Sequence, residues 1–393
     1  MGISLESIAE VEDPYHAFVD SIKNKETLRK YDHRLCDFLK LVPSSLYQEH
    51  LGESPKDNQK ETLAKFFVML AEKNSKLTQN VIAAFIKEIR KNVEDGKMSP
   101  NTFPNHIKPI RRLLDANSVP IHWKSLQRLY PRGAVSQDRA YTREELQKMM
   151  DVAIDLTDKV IITLASSAGF RKESWDYFTW KDLKFFQDGN NLKGGAILIY
   201  RGDPESYWTH FTPEAGKYLL EYRELWKSQI GRYPKDNDPL LKATKTPVIR
   251  RLNSFGVKKR VDRLAKKIGM RSKLEPGKRR YDVPLLHGFR KYFNTMMRRA
   301  KVEYLDKEDM MGHKVGLEKH YERYNEEDFE RFPEYEKAIP LLTISDTERM
   351  RFENQQLKEE KNYLERKIPT LVEDAVERVK QNMIKEGWQI PSN

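Results

Sequence analysis

Cysteine is almost absent: Cys36 is the single one among 393 residues, so no intrachain disulfide can form. Set among apolar neighbours in RLCDFLKL, that thiol is expected to be a bland buried side chain. With no histidine pair at ligand spacing beside it, a structural zinc is unsupported and no metal is assigned. A Walker-type P-loop, a dinucleotide-binding fingerprint and an HExxH helix are all missing, and no cofactor is expected. No apolar run reaches spanning length. The N-terminus, MGISLESIAEVED, is polar and acidic, unlike a signal peptide, so a cytoplasmic protein without a membrane partner is expected.

What the chain has in excess is positive charge. Its 71 lysines and arginines against 59 acids give +12, with a pI near 9.3, a balance that points to a polyanionic partner. The length suffices for two or three domains. From Asp13 to about Asn117 apolar residues recur at helical spacing: Tyr15, Phe18 and Ile22; Leu28, Tyr31, Leu35, Phe38 and Leu39; Leu63, Phe66, Phe67 and Leu70; Val81, Phe85 and Ile89. Four or five short helices are expected in a domain over 1–130, with Lys23, Lys25, Arg29, Lys30, Lys108, Arg111 and Arg112 on its surface. The stretch YPRGAVSQD, 130–138, is linker-like.

Thr142-Arg143-Glu144-Glu145 has capping-box spacing and opens a second domain over 138–345. An apolar helix, Lys159 to Ser167, ends at Gly169, and Arg171 follows near the start of the next helix, where backbone N–H groups favour an anion. Ala196–Tyr200 and Tyr207–Phe211 are β-rich runs about a Gly202-Asp203-Pro204-Glu205 turn, expected as a hairpin within a small three-stranded antiparallel sheet. Between 250 and 280, Leu252, Phe255, Val261, Leu264 and Ile268 form the expected buried face of a helix. Opposite stand Lys258, Lys259, Arg263, Lys266 and Lys267, then Lys278, Arg279 and Arg280 in the following loop, together a candidate DNA-phosphate surface. A tail over 346–393 places Met350, Leu357, Leu364 and Leu371 seven apart, with Pro369 interrupting. It is either a short coiled coil or an amphipathic helix folded onto its own domain.

The chemistry concentrates in Tyr281–Tyr324. His287 and Arg290, i and i+3, share a helix face; Arg290 can fork onto two phosphate oxygens and His287 can exchange a proton near neutral pH. His313 follows on a Met-Gly-His turn, then two phenols, Tyr321 and Tyr324. A phenol with a pKa of about 10 needs about 4 kcal/mol to ionise at pH 7, which cationic or proton-accepting neighbours can supply.

HGFRKYFNT, then MGH, then a tyrosine eight residues beyond that histidine resemble box II of the tyrosine recombinase (phage integrase) superfamily, most of all its archaeal branch. Ala168-Gly169-Phe170-Arg171 supplies the earlier Gly-x-Arg. The resemblance implies a mainly α protein with a small antiparallel sheet. An N-terminal helical core-binding domain clasps the duplex, an α+β catalytic domain follows, and a helical tail ends the chain. It implies site-specific recombination through a 3′-phosphotyrosyl intermediate, carried by a mobile element: Tyr321 attacks, Arg171 and Arg290 brace the phosphate, His287 takes the phenolic proton and His313 hydrogen-bonds the phosphate. Partners are a double-stranded attachment site and further copies in a tetramer, with the protein nucleoid-associated when bound. Two departures stand out. The hairpin lysine that serves as general acid is replaced by Arg201, with Lys193, expected in the turn before the strand, as the other candidate. Ser174 holds the place of an acidic residue, with Glu173 one earlier. Both departures suit a second reading, an architectural or regulatory DNA-binding protein that keeps the fold without strand exchange.

Overall fold

The computed structural model describes residues 13–133, 138–189, 191–245, 247–272, 274, 280–313 and 330–385. The chain divides into two compact units, Met1–Ser136 and Gln137–Asn393.

The first unit is all helical: α1 Pro14–Asp20, α2 Lys25–Leu39, α3 Ser44–Leu51, α4 Lys60–Lys73, α5 Ser75–Glu94, α6 Pro104–Ala116 and α7 Trp123–Gln127. Asp13, Asn24 and Asn74 cap α1, α2 and α5, each side chain accepting from backbone N–H groups of the first turn. Phe18, Leu35, Phe38, Tyr47, Phe67, Ile82, Ile110 and Leu113 meet in one core. The count exceeds the expected four or five because α3 and α7, at eight and five residues, are too short for a stripe to register. Cys36 is only partly covered, since Leu35, Phe38 and Leu39 take the inward positions of α2.

The second unit opens with α8, Arg143–Asp151, whose capping box is formed: Thr142 receives the Glu145 N–H and Glu145 reaches back to the Thr142 N–H. Next comes α9, Leu156–Ala168, buried on every side from Val160 onward. It is the central post of the unit, packed by α10 (Pro213–Ile230), α12 (His287–Arg299) and the sheet. The sheet is antiparallel in the order β1 (Leu183–Asp188), β2 (Asn191–Ile199), β3 (Tyr207–Phe211). The fold class is therefore mainly α with a small antiparallel sheet. β2 begins earlier than its most apolar run, so Lys193 is buried within the strand and not in a turn before it.

α11, Ser254–Lys267, buries Val257, Val261, Leu264 and Ala265. Phe255, expected inside, is 61% exposed. It lies about 160° round the helix from Val257, and the Lys259 ammonium stands 4.6 Å from its ring centroid. Beyond α12 come α13 (Tyr304–Met310), α14 (Phe332–Glu336), α15 (Ile339–Leu342) and α16 (Asp346–Lys385). α16 is one 40-residue helix that runs through Pro369. A proline there removes one backbone donor, and the helix is not broken as expected. No helix among the described residues is long and apolar enough to cross a membrane.

Candidate active site

Two glycines bring three distant segments together. Gly169 closes α9 in the left-handed region, φ 60°, and a Cβ there would lie 2.3 Å from the Phe293 ring; only glycine turns the chain this close to α12. Gly312, φ 64°, meets the Tyr207 ring so closely that a Cβ would lie 2.2 Å from it. Between these turns lies Arg290, only 5% exposed. It donates Nη1 to the Gly169 carbonyl at 2.8 Å and Nη2 to the Met311 carbonyl at 2.7 Å and to His313 Nε2 at 2.7 Å, so none of these partners is a carboxylate. Burial pulls its pKa down, though an arginine stays charged.

Arg171 N-caps a short 3-10 turn, Lys172–Asp176, rather than an α-helix. Its Nη2 donates to the Gly312 carbonyl at 3.2 Å, while Nη1 is buried without a partner among the described residues. His287 is the first residue of α12 and exposed. Crowding by the protein and then Lys291 and Arg290 hold its pKa below the ordinary value, so at pH 7 it is a neutral proton acceptor. His313 is fixed by its two neighbours. Arginine can only donate, so Nε2 must accept from Arg290 and the proton sits on Nδ1, facing the Glu308 carboxylate.

Arg171, His287, Arg290 and His313 line one cavity of about 470 Å³ with Phe170, Lys172, Glu173 and Leu286. Two guanidiniums on one wall, braced by carbonyls and an imidazole, leave positive charge uncompensated; a bound anion would compensate it. Among the described residues no group of His, Cys, Asp and Glu is placed to hold a metal ion.

Other residues singled out in the sequence lie elsewhere. Arg201 is outside the cavity lining: its Nε donates to Asp182 Oδ1 at 2.5 Å and its Nη2 to the Lys181 carbonyl at 2.9 Å. Lys193 is six residues up β2 from Ile199, about 20 Å at strand rise; Ile199 pairs with Tyr207 at the Gly312 end. Ser174 is fully buried, and Glu173 lies at the cavity wall, 3.5 Å from the Lys172 ammonium. Tyr321 and Tyr324 lie outside the described residues, as do Lys278 and Arg279.

On α11, Lys258, Lys259 and Lys267 are exposed, as is Arg280 beyond the helix. Lys266 is paired with Asp262 at 2.7 Å, and Arg263 is held at 2.6 Å by Asp158, a carboxylate only 1% exposed that also takes Arg260 at 2.7 Å. Sequence reasoning missed Asp158, Glu308 and Tyr207. Glu308 lies five residues before His313, a spacing that a helix-to-turn reading can catch; the other two are signalled by nothing local. The Tyr207 hydroxyl, buried near both guanidiniums, has its pKa raised by burial, which disfavours it as a nucleophile.

No protein-family model matches the sequence, and no curated protein matches it either. Solved structures of recombinases and integrases do resemble the chain in outline. A lambda integrase (75–356) dimer bound to a COC′ core site has a TM-score of 0.46 at 13% identity, over 80% of this chain and 94% of that one. XerH site-specific recombinase bound to difH substrate, in a pre-cleavage complex, has 0.45 at 13%, over 82% and 95%. The Tn1549 transposon integrase (82–397) in complex with circular intermediate DNA has 0.40 at 15%, over 76% and 98%.

Proposed function

We propose that the chain is a tyrosine-type site-specific DNA recombinase that breaks and rejoins strands through a 3′-phosphotyrosyl intermediate. The observation that carries the reading is the cavity wall on which Arg171, His287, Arg290 and His313, from three separate segments, converge with one guanidinium nitrogen unpaired among the described residues. The cavity suits a phosphodiester anion, and the motif spacing of the sequence names the attacking group.

In this scheme the scissile phosphate takes the Arg171 and Arg290 donors. Its oxygen replaces His313 at Arg290 Nη2, and His313, held by Glu308 through Nδ1–H, hydrogen-bonds the phosphate once Nε2 also carries a proton to donate. Tyr321 attacks phosphorus, His287 takes the phenolic proton, the P–O5′ bond breaks as the phosphotyrosyl bond forms, and the leaving 5′-oxygen takes its proton from water to give the 5′-hydroxyl. Attack by a 5′-hydroxyl reverses the step on the same or another strand, so the bond energy is conserved. Fixed donors aimed where charge builds are the main source of rate. Lys258, Lys259 and Lys267 of α11, with the basic residues of the first unit, would track the duplex backbone. Assembly as a tetramer on an attachment site, association with the nucleoid and membership of the archaeal branch belong to the same proposal; the last rests on the His313-to-Tyr321 spacing alone.

A second reading, a DNA-binding regulator without strand exchange, is favoured by one observation. Arg201 is committed to Asp182 and Lys193 is buried in β2, which leaves neither of the two expected general acids at the cavity. The two readings part on a nicked duplex carrying the element's end sequence. The recombinase becomes covalently attached, so that a protein-DNA band survives denaturation; the regulator only shifts a native gel. Tyr321→Phe is expected to bind without forming the adduct, and Tyr324→Phe to form it still. Peptide mapping that finds DNA on Tyr324 would overturn the assignment of the nucleophile.

A further inference from the structure

We infer that α16 pairs in parallel with α16 of a second copy of this chain, an association that does not depend on strand exchange. The helix is rooted in the second unit by one face only. Phe352 is buried in the core, Glu348 takes the Lys217 ammonium at 2.7 Å, and Gln355 and Gln356 are partly covered. About 170° away from Phe352, Met350, Leu357, Leu364, Ile368, Val372, Val376 and Val379 form a second face, every one of them 47–62% exposed. At about 100° per residue they fall within about 120° of arc and run about 44 Å along the axis. The docked face and the apolar stripe are opposite, so the tail cannot bury the stripe by folding onto its own unit as it is rooted.

The stripe repeats at 357, 368 and 379, an eleven-residue period that keeps a straight or slightly right-handed seam facing one partner. The charges beside it choose that partner. Arg351, Lys358 and Glu365 flank it on one side; Glu353, Glu360 and Lys367 flank it on the other. A parallel, in-register pair sets one flank against the other, so Arg351 meets Glu353, Lys358 meets Glu360 and Glu365 meets Lys367 of the second copy, twice over by symmetry. An antiparallel pair sets each flank against itself and brings Lys358 toward Lys380. Asn354 and Lys361 lie in the seam, where an in-register pair sets each beside its own copy, and polar residues at seam positions select register at some cost in stability.

The test uses the full-length chain without DNA in sedimentation equilibrium. The expected result is a concentration-dependent mass approaching twice 46.4 kDa. Leu364→Glu with Ile368→Glu should give the monomer mass with near-ultraviolet circular dichroism unchanged, since both side chains are exposed. Lys358→Glu should weaken the dimer about tenfold, and adding Glu360→Lys should restore it. With Cys36→Ser as background, Leu357→Cys should crosslink to its own copy under mild oxidation. A wild-type monomer at every concentration overturns the pairing, as does a dimer that survives the two glutamates. A dimer that persists while Leu357→Cys fails to crosslink, or that ignores Lys358→Glu, overturns the parallel arrangement.

Discussion

The cavity wall and helix α11 are both rich in cations, yet they treat them oppositely. On the wall, Arg290 and Arg171 are held by the carbonyls of Gly169, Met311 and Gly312 and by the His313 ring, so their charge stays available. On α11, Arg260 and Arg263 are neutralised by buried Asp158, with Asp155 3.3 Å from Arg260, and Lys266 by Asp262. Basic residues in a sequence are therefore not equivalent. What decides their use is whether a carboxylate or a dipole holds them.

The contrast breaks most visibly at Asp158. Asp158→Ala leaves the half-buried Arg260 with Asp155 at 3.3 Å and is expected to destabilise the second unit by about 1–3 kcal/mol, read as a fall in the thermal midpoint with covalent adduct formation by the folded fraction intact. Arg290→Ala should do the reverse. On the proposed function it should slow covalent adduct formation by about a hundred- to a thousandfold while binding weakens little, because the phosphate it would hold is one of many along the duplex. An Arg290→Ala protein that cleaves at the wild-type rate removes this residue from the site.

A third way to sharpen the comparison is a cationic site the fold refuses to form. His210 on β3 is fully buried against Phe332 and Tyr335, with neither ring nitrogen hydrogen-bonded among the described residues. Burial, and then Arg331, push its pKa down from 6.5 to about 3. Between those values the unfolded chain binds the proton and the folded one does not, so stability falls as pH falls, by up to about 1.4 kcal/mol per pH unit. Denaturant titrations from pH 7 to 4 should show this slope in the wild type and lose it in His210→Phe. The smallest effect belongs to the exposed lysines of α11. Lys258→Ala with Lys259→Ala should leave stability unchanged and reduce the slope of log K against log salt by up to about two, near 0.9 for each phosphate no longer neutralised.

Much of the architecture is legible locally. The capping box at Thr142, the glycine stop after α9, the hairpin between Ile199 and Tyr207, and the i, i+3 relation of His287 and Arg290 all follow from spacing, because each is settled within one or two turns of chain. Local reasoning fails where phase or length matters. Phe255 reads as buried only if Leu252 continues the helical stripe, whereas Leu252 precedes the helix. Lys193 reads as a turn residue because Gly194 and Gly195 follow it; both glycines are pressed against Phe211 inside the sheet.

By itself the sequence determined the helical class, the place of the sheet and the set of side chains able to handle a phosphate, since these depend on periodicity and on the chemistry of single residues. Only the tertiary structure decided which of the basic residues keep their charge. Asp158 stands 102 and 105 positions from the arginines it neutralises, Gly169 stands 121 from the one it braces, and Arg201 is turned toward Asp182 and away from the cavity. Charge compensation acts over ångströms in space, and chain distance does not report it.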